Sequence, residues 1–131
     1  MNVSVIIPVF NERDSLPGLV HELEENLKAY GAWEVLFIDD GSSDGSTEWI
    51  TTLCNENLNF KLIQFHRNYG KSAALSEGFK AAKGDFIITM DADLQDDPAE
   101  IENLIAKLKE GWDLVSGWKK TPVSYTHLTL P

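Results

Sequence analysis

Residues 3–12 read VSVIIPVFNE, a run of mainly apolar and β-branched residues that ends at Asn11 and Glu12. Such a run predicts a buried strand, Val3 to Phe10, followed by a polar turn. The next apolar residues recur at three- and four-residue spacing, which predicts one buried face of a helix. They are Leu16, Leu19, Val20, Leu23 and Leu27, and Gly31 ends the helix.

Strand and helix signals keep alternating along the rest of the chain. Further strands are predicted at 34–38, 61–66, 85–90 and, in part, at 113–116. Helices are predicted at 47–55 with Ser46 as its cap, at 72–82, and from Pro98 with Asp97 as its cap and Ile101, Leu104, Ile105 and Leu108 as its buried stripe. Because the strands are too apolar for burial on one face only, we expect an α/β fold, a mostly parallel sheet with helices on both faces.

Length, charge and cysteine content narrow the classes of protein. The 131 residues are enough for one domain, and 21 acidic against 11 basic residues give a formal net charge of −10. This charge argues against a nucleic-acid partner, and a phosphorylated ligand would need a cation or local N–H donors to overcome the negative electrostatic field of the chain.

Cys54 is the single cysteine and is expected to be a small buried residue of a helix. A reducing, cytoplasmic location is expected. No leader peptide or bilayer-spanning run is expected within residues 1–131.

Polar residues follow four of the predicted strands. They are Asn11–Glu12, Asp39–Asp40, Arg67–Gly70 and Asp91–Gln95. Ligands of parallel α/β folds bind outside the carboxyl ends of the strands, so these groups are expected to converge on one site.

Asp91-Ala92-Asp93 is the strongest candidate for chemistry. Residues two apart in a strand point to the same side, so both carboxylates can face one cation. Mg²⁺ or Mn²⁺ suits such oxygen ligands, and Gln95 or Asp96 can add another oxygen. The alternative is that these carboxylates only form turns and caps.

The other strand ends leave two interpretations open. Asp39–Asp40 can accept hydrogen bonds from a nucleobase or ribose, whereas Ser42 to Ser46 fits a plain turn. Phe10 fits either a ring that stacks on a base or a core residue. Arg67 and Lys71 flank a helix start where a phosphate can bind, or form a solvated basic pair. His21 and His66 are interpreted as structural, and neither a dinucleotide fingerprint nor a P-loop is present.

Four motifs together carry a resemblance to a known family. They are VIIPVFNE at 5–12, FIDDGS at 37–42, RNYGK at 67–71 and MDADLQDDP at 90–98. In this order and spacing, over residues 3 to about 120, the chain resembles family 2 glycosyltransferases of the GT-A fold, whose donor-binding half is Rossmann-like. It is most similar to the dolichol-phosphate-mannose-synthase-like and polyprenyl-phosphate sugar transferases. The four motifs are specific as a set, whereas D-x-D alone is weak.

The resemblance implies a role for each matching residue. The nucleotide sugar would be bound by Pro8, Phe10, Glu12, Ile38, Asp40, Asp91, Ala92, Asp93, Gln95 and Lys119. Asp91 and Asp93 would be catalytic and, with Gln95, would hold Mg²⁺ or Mn²⁺. Phe10 replaces a more usual tyrosine, and Lys119 would approach the phosphates.

The resemblance also implies a reaction. A UDP- or GDP-linked sugar would be transferred with inversion to a polyprenyl or dolichyl phosphate, as in cell-envelope glycan synthesis, at the cytoplasmic face of a membrane. A phosphate oxygen is largely ionised at neutral pH and needs little help from a general base. A saccharide hydroxyl acceptor would need a base, and no convincing one is present.

Residues 122–131 depart from the family pattern. The segment VSYTHLTLP at 123–131 resembles a reading-frame translation of a transposase-adapter DNA sequence used in sequencing libraries. We therefore expect a truncated glycosyltransferase domain at 1–121 and a non-native tail at 122–131. The chain alone would be inactive, and membrane association would require parts absent from it.

Three other classes of protein share some of these features. A receiver-type signalling module would need an aspartate at the third strand's end, where His66-Arg67 stands. A nucleotidyltransferase would need a glycine-rich basic loop after the first strand. A non-catalytic sugar-nucleotide-binding module stays open as the alternative.

Overall fold

The computed structural model describes residues 2–93, 97–109 and 115–116. Strands are β1 (Asn2–Val9), β2 (Ala32–Asp39), β3 (Phe60–Gln64), β4 (Phe86–Thr89) and β5 (Val115–Ser116). Helices are α1 (Leu16–Leu27), α2 (Ser46–Glu56), α3 (Lys71–Ala81) and α4 (Ile101–Lys109), the last preceded by a 3-10 turn at Pro98–Glu100. The predicted order of elements is confirmed, and boundaries shift by at most two residues for those described to both ends, except that α1 ends at Leu27, before its predicted stop at Gly31.

The strands form one sheet in the order β3-β2-β1-β4-β5, and every described pairing is parallel. Val5 of the central strand β1 aligns with Val35 on one side and Ile88 on the other. Helices cover both faces, as predicted, because each inner strand presents apolar side chains on both sides. One face packs against α1, α2 and α4 through Leu23, Ile50 and Leu104; the opposite face packs Ile6 against Ala74 of α3.

Two predicted helix caps have different outcomes. Asp97 is confirmed, because its side chain accepts a hydrogen bond from the Ala99 backbone N–H at 3.0 Å. Ser46 as the cap of α2 is wrong: Gly45, with φ of 96°, occupies the cap position and Ser46 is the first helical residue. The buried Ser46 hydroxyl instead accepts from the Glu12 backbone N–H and donates to Asp44.

At the amino end of the sheet, on its α3 face, a buried carboxylate is fully engaged. Glu34 accepts hydrogen bonds from the Ser4 hydroxyl at 2.6 Å, the Lys61 ammonium at 2.7 Å and the Lys83 backbone N–H at 2.7 Å. Ser4 in turn accepts from the Gly84 N–H. Burial raises the pKa of Glu34, but the hydrogen bonds from Lys61, Ser4 and Lys83 outweigh it and hold that pKa below its ordinary value.

Several predictions fall on residues outside the described ranges. They concern Gln95, Asp96 and Lys119, the side chain of Leu108, and the boundary between 1–121 and 122–131. Cys54 lies in α2, as predicted, and is partly buried against the core. No helix of the described part of the chain combines the length and apolarity needed to cross a bilayer.

Candidate functional site

A cleft of about 410 Å³ opens at the carboxyl ends of β1, β2 and β4. Its lining brings together seven of the ten predicted site residues, namely Pro8, Phe10, Glu12, Asp40, Asp91, Ala92 and Asp93, and adds Val9 and Lys71. Ile38 lies elsewhere: its side chain is fully buried in the core on the α3 face and does not line the cleft. The predicted convergence of strand ends is thus present in the fold.

The strand order explains the position of this cleft. The chain moves from β1 outward to β2 and β3, and then returns to place β4 on the other side of β1. Connections therefore leave β1 and β4 in different directions, and a crevice forms where the strand order reverses. The main-chain pairing continues for one residue past the strands here, since Met90 N–H donates to the Ile6 carbonyl at 3.0 Å.

Asp91 and Asp93 share the cleft while Ala92 between them is buried. Because β4 ends at Thr89 and residues 92–93 lie in a bend, the two carboxylates reach the cleft from beyond the strand, and the strand alternation used in the prediction does not apply to them. Asp91 is largely covered, with 19% of its side chain exposed, and its Oδ1 lies 2.5 Å from the Lys71 Nζ. From the sequence, Lys71 could be either a phosphate ligand or a solvated residue. In the structure it forms an ion pair with Asp91.

The cleft concentrates negative charge. Glu12 lines it with Asp91 and Asp93, and its pKa is raised, first by burial and then by the charges of Asp93, Asp44 and Asp91. Like charges that share a site disfavour one another's ionised forms. A cation bound among them would relieve this repulsion, so the electrostatics agree with the predicted metal site.

The donor chemistry of the described residues fits a hard cation in an open site. Among them, no set of three His, Cys, Asp or Glu side chains is arranged around a common metal position. Two carboxylates are nevertheless a usual protein contribution to Mg²⁺, whose shell is completed by water and substrate phosphates. Gln95, the predicted third ligand, lies outside the described residues.

Asp39 and Asp40 organise the loops around the cleft. The Oδ1 and Oδ2 atoms of Asp40 accept from the backbone N–H groups of Tyr69 at 2.7 Å and Gly70 at 3.0 Å. Asp39 is fully buried and accepts from the Ser42 N–H at 3.0 Å and the Thr47 hydroxyl. The carboxylate predicted to contact a base or ribose therefore also anchors the loop that precedes α3.

This loop lies directly on the turn after β2. Gly41 has φ of 83°, and a Cβ there would approach the carbonyl carbon of Arg67 to 2.8 Å. The Arg67 guanidinium stacks 5.0 Å from the centroid of the Tyr69 ring. Arg67 thus pairs with an aromatic ring, whereas Lys71 enters the cleft.

A second contact between loops holds Glu12. Asn11, with φ of 54°, donates its N–H to the Ser42 hydroxyl at 2.9 Å and accepts from the Ser43 N–H at 2.8 Å. The Glu12 N–H donates to the Ser46 hydroxyl at 3.1 Å. Because these partners are more than 30 residues apart in the chain, no local sequence signal could have paired them.

The position of Phe10 distinguishes between its two predicted interpretations. Its ring is 47% exposed, so it is not a core residue, and it lines the cleft. An exposed ring at a ligand-sized cleft is available for stacking against a planar group.

A parallel sheet with a cleft at its switch point is typical of open α/β proteins that bind a ligand at the carboxyl ends of their strands. The chain belongs to the family described as Glycosyl transferase family 2, whose model matches residues 4–126.

Relatives and solved structures agree with this assignment. The chain is 49% identical over 115 residues to the undecaprenyl-phosphate 4-deoxy-4-formamido-L-arabinose transferases of Salmonella paratyphi B and Salmonella newport, which covers 86% of this chain and 35% of each relative. The chain therefore spans about a third of the length of these curated relatives.

Two solved structures share the fold. S. aureus TarS 1-349 in complex with UDP-GlcNAc has a TM-score of 0.67 at 27% identity, over 84% of this chain and 32% of that chain. Mannosyltransferase PcManGT from Pyrobaculum calidifontis, in complex with GDP-Man and Mn²⁺, has a TM-score of 0.63 at 25% identity, over 70% of this chain and 27% of that chain. The expected α/β fold of GT-A type is confirmed.

Proposed function

We propose that this chain forms the donor-binding part of a glycosyltransferase that binds a nucleoside-diphosphate sugar with Mg²⁺ or Mn²⁺. The observation that carries the proposal is the convergence of Glu12, Asp91 and Asp93 in one cleft at the switch point of the sheet. Burial and then the charges of Asp93, Asp44 and Asp91 raise the pKa of Glu12, and a divalent cation would reduce the repulsion among these acids. The neighbours solved with UDP-GlcNAc, or with GDP-Man and Mn²⁺, support a nucleotide sugar and a divalent cation as the ligands.

Each described residue has a proposed task. Asp91 and Asp93 hold the cation, and Glu12 adds a nearby negative charge. The exposed ring of Phe10 offers a surface on which a base can stack. Asp40 keeps the loop before α3 in place through Tyr69 and Gly70, which confines one side of the cleft. Gln95 and Lys119 stay as predicted ligands of the metal and the phosphates.

The chemistry follows from charge. When bound, the cation supplies Lewis-acid stabilisation of the charge that develops on the departing nucleoside diphosphate. We propose an inverting transfer to a polyprenyl phosphate, because the 49%-identical relatives are named as undecaprenyl-phosphate sugar transferases. A phosphate oxygen is already ionised at neutral pH, so the chain needs no general base. Such a lipid acceptor would place the whole enzyme at a membrane, with the donor taken from the cytoplasm.

The proposal is tested by thermal unfolding of the chain with UDP or GDP, with and without Mn²⁺. Stabilisation should require both the nucleotide and Mn²⁺, and should vanish in Asp93→Ala. Asp85→Ala is the matched control, because Asp85 is an exposed acid just before the same strand at the opposite end of the sheet. It should keep the full stabilisation.

One result would oppose the site assignment, and another would contradict the predicted inactivity of the chain. Nucleotide stabilisation that is independent of Mn²⁺ and unchanged in Asp93→Ala would remove the site assignment. Glycosyl transfer by the 131-residue chain would contradict the prediction that it is inactive alone.

A further inference from the structure

Lys71 is the only cation among the described residues that line the cleft. Its Nζ lies 2.5 Å from Oδ1 of Asp91, one of the two carboxylates assigned to the metal. The position a divalent cation would need therefore already has a positive neighbour. Whatever binds there must compete with, or displace, this ammonium group.

The backbone of Lys71 is held in place. Lys71 is the first residue of α3, directly after Gly70, whose N–H is bound by Asp40 at 3.0 Å. The helix continues into the core through Ala74, which is fully buried. The Lys71–Asp91 contact thus joins the start of α3 to the segment after β4, and the backbone next to each residue is held by a hydrogen bond.

The ion pair itself is suited to exchange. The Lys71 side chain is 58% exposed, so its ammonium group can return to water, whereas its partner Asp91 is only 19% exposed and would need another cation. The contrast is Lys61, whose partner Glu34 is only 10% exposed and also accepts from Ser4 and Lys83. Lys71 can therefore leave Asp91 when another cation takes its place beside that carboxylate, and its exposed side chain can remain within the cleft.

We propose that Lys71 is an internal counter-ion: it holds Asp91 in the metal-free protein and moves to the donor's diphosphate when metal and nucleotide bind together. This inference rests on the proposed function. Its consequence is cooperativity, because the metal alone must displace Lys71 without offering it a new partner, whereas a diphosphate supplies one. By linkage, nucleotide should raise Mn²⁺ affinity and Mn²⁺ should raise nucleotide affinity by the same factor.

The test measures free Mn²⁺ by electron paramagnetic resonance in titrations of the chain, with and without UDP or GDP. Lys71→Met should bind Mn²⁺ alone about tenfold more tightly than the wild type, since the competing charge is gone. It should also lose most of the gain in Mn²⁺ affinity that nucleotide gives the wild type. Lys71→Gln, which keeps a polar side chain, should behave in the same way.

Lys80→Met is the matched control. Lys80 lies on the same helix, pairs with Glu77 at 3.6 Å, and its loss changes the net charge equally. At physiological salt, distant exposed charges are screened, so Lys80→Met should leave both affinities within about twofold of wild type.

The outcomes separate the two proposals. If wild type binds Mn²⁺ with nucleotide but Lys71→Met shows unchanged Mn²⁺ affinity and unchanged coupling, the counter-ion role is wrong and the proposed function stands. Weaker binding of Mn²⁺ alone by Lys71→Met would also overturn it. If wild type binds no Mn²⁺ even with nucleotide, the proposed function fails and this inference fails with it.

Discussion

The acidic side chains at the two ends of the sheet differ in how they are paired. At the amino end, Glu34 receives three hydrogen bonds, one of them from Lys61, and its pKa is lowered. At the carboxyl end, Glu12 faces Asp91 and Asp93, and its pKa is raised by burial and by their charges. A carboxylate that is fully paired within the fold can stabilise it, whereas carboxylates that repel one another would be stabilised by a bound cation, as proposed for this cleft.

The largest expected effect comes from removing the paired acid. Glu34→Ala should lower the free energy of unfolding by about 3 kcal/mol, the low end for breaking a buried ion pair, because half-exposed Lys61 can return to water. Urea unfolding measures this loss. Asp85→Ala, which removes an exposed acid near the same end of the sheet, should change stability by less than about 0.5 kcal/mol. Equal effects of the two substitutions would contradict the stabilising role of the paired Glu34.

A smaller effect is the pH dependence, which should have opposite signs at the two ends. The folded-state pKa of Glu34 lies below its ordinary value of 4.5, so its stabilisation is complete above that pH and is lost as pH falls through the folded value. The folded-state pKa of Glu12 lies above 4.5, so Glu12 lowers stability as pH rises from 4.5 through the folded value.

Metal-free unfolding of two glutamine variants across this pH range measures the difference. Relative to wild type, Glu34→Gln should be less stable and Glu12→Gln more stable near neutral pH, and both differences should shrink in acid. If both variants shifted stability in the same direction near neutral pH, the two ends would not differ in the way described.

The smallest effect on stability is expected for Asp93→Asn. Asp93 is exposed, so the free energy of unfolding should change by less than about 0.5 kcal/mol. The pKa of Glu12, followed by NMR of its side-chain carboxyl, should nevertheless fall towards its ordinary value because a like charge is removed. Asp85→Asn should leave that pKa unchanged. An unchanged pKa in Asp93→Asn would remove the electrostatic argument for a cation in the cleft.

Much of the site was predictable because its residues follow strands that any parallel sheet brings to one edge. Glu12, Asp40, Asp91 and Asp93 were all named from strand ends, Pro8 was implied by the family resemblance, and all five line the cleft. Ile38 was implied by family resemblance alone, and its side chain points into the core. Lys71 had two equally good interpretations, because its partner lies 20 residues away and no sequence pattern joins them.

Side-chain assignments within the loops were the weakest predictions. Ser46 has the residue type and position of a helix cap, and the local rule favoured that role. Its hydroxyl instead accepts a hydrogen bond from the Glu12 N–H, 34 residues away. The packing of the two loops places this donor beside Ser46, and a covered backbone N–H requires an acceptor.

Local patterns in the chain were sufficient for the order of elements, the parallel sheet and the edge at which the strand-end residues converge. Apolar periodicity and glycine breaks act over a few residues, so they can be recognised in the sequence without knowledge of the tertiary structure. The pairing of Asp40 with the loop before α3, the exposure of Phe10 and the contact of Lys71 with Asp91 depended on packing between distant segments. Burial and charge at those positions are properties of the assembled sheet, and they distinguish the paired Glu34 from the acids that we propose bind a cation.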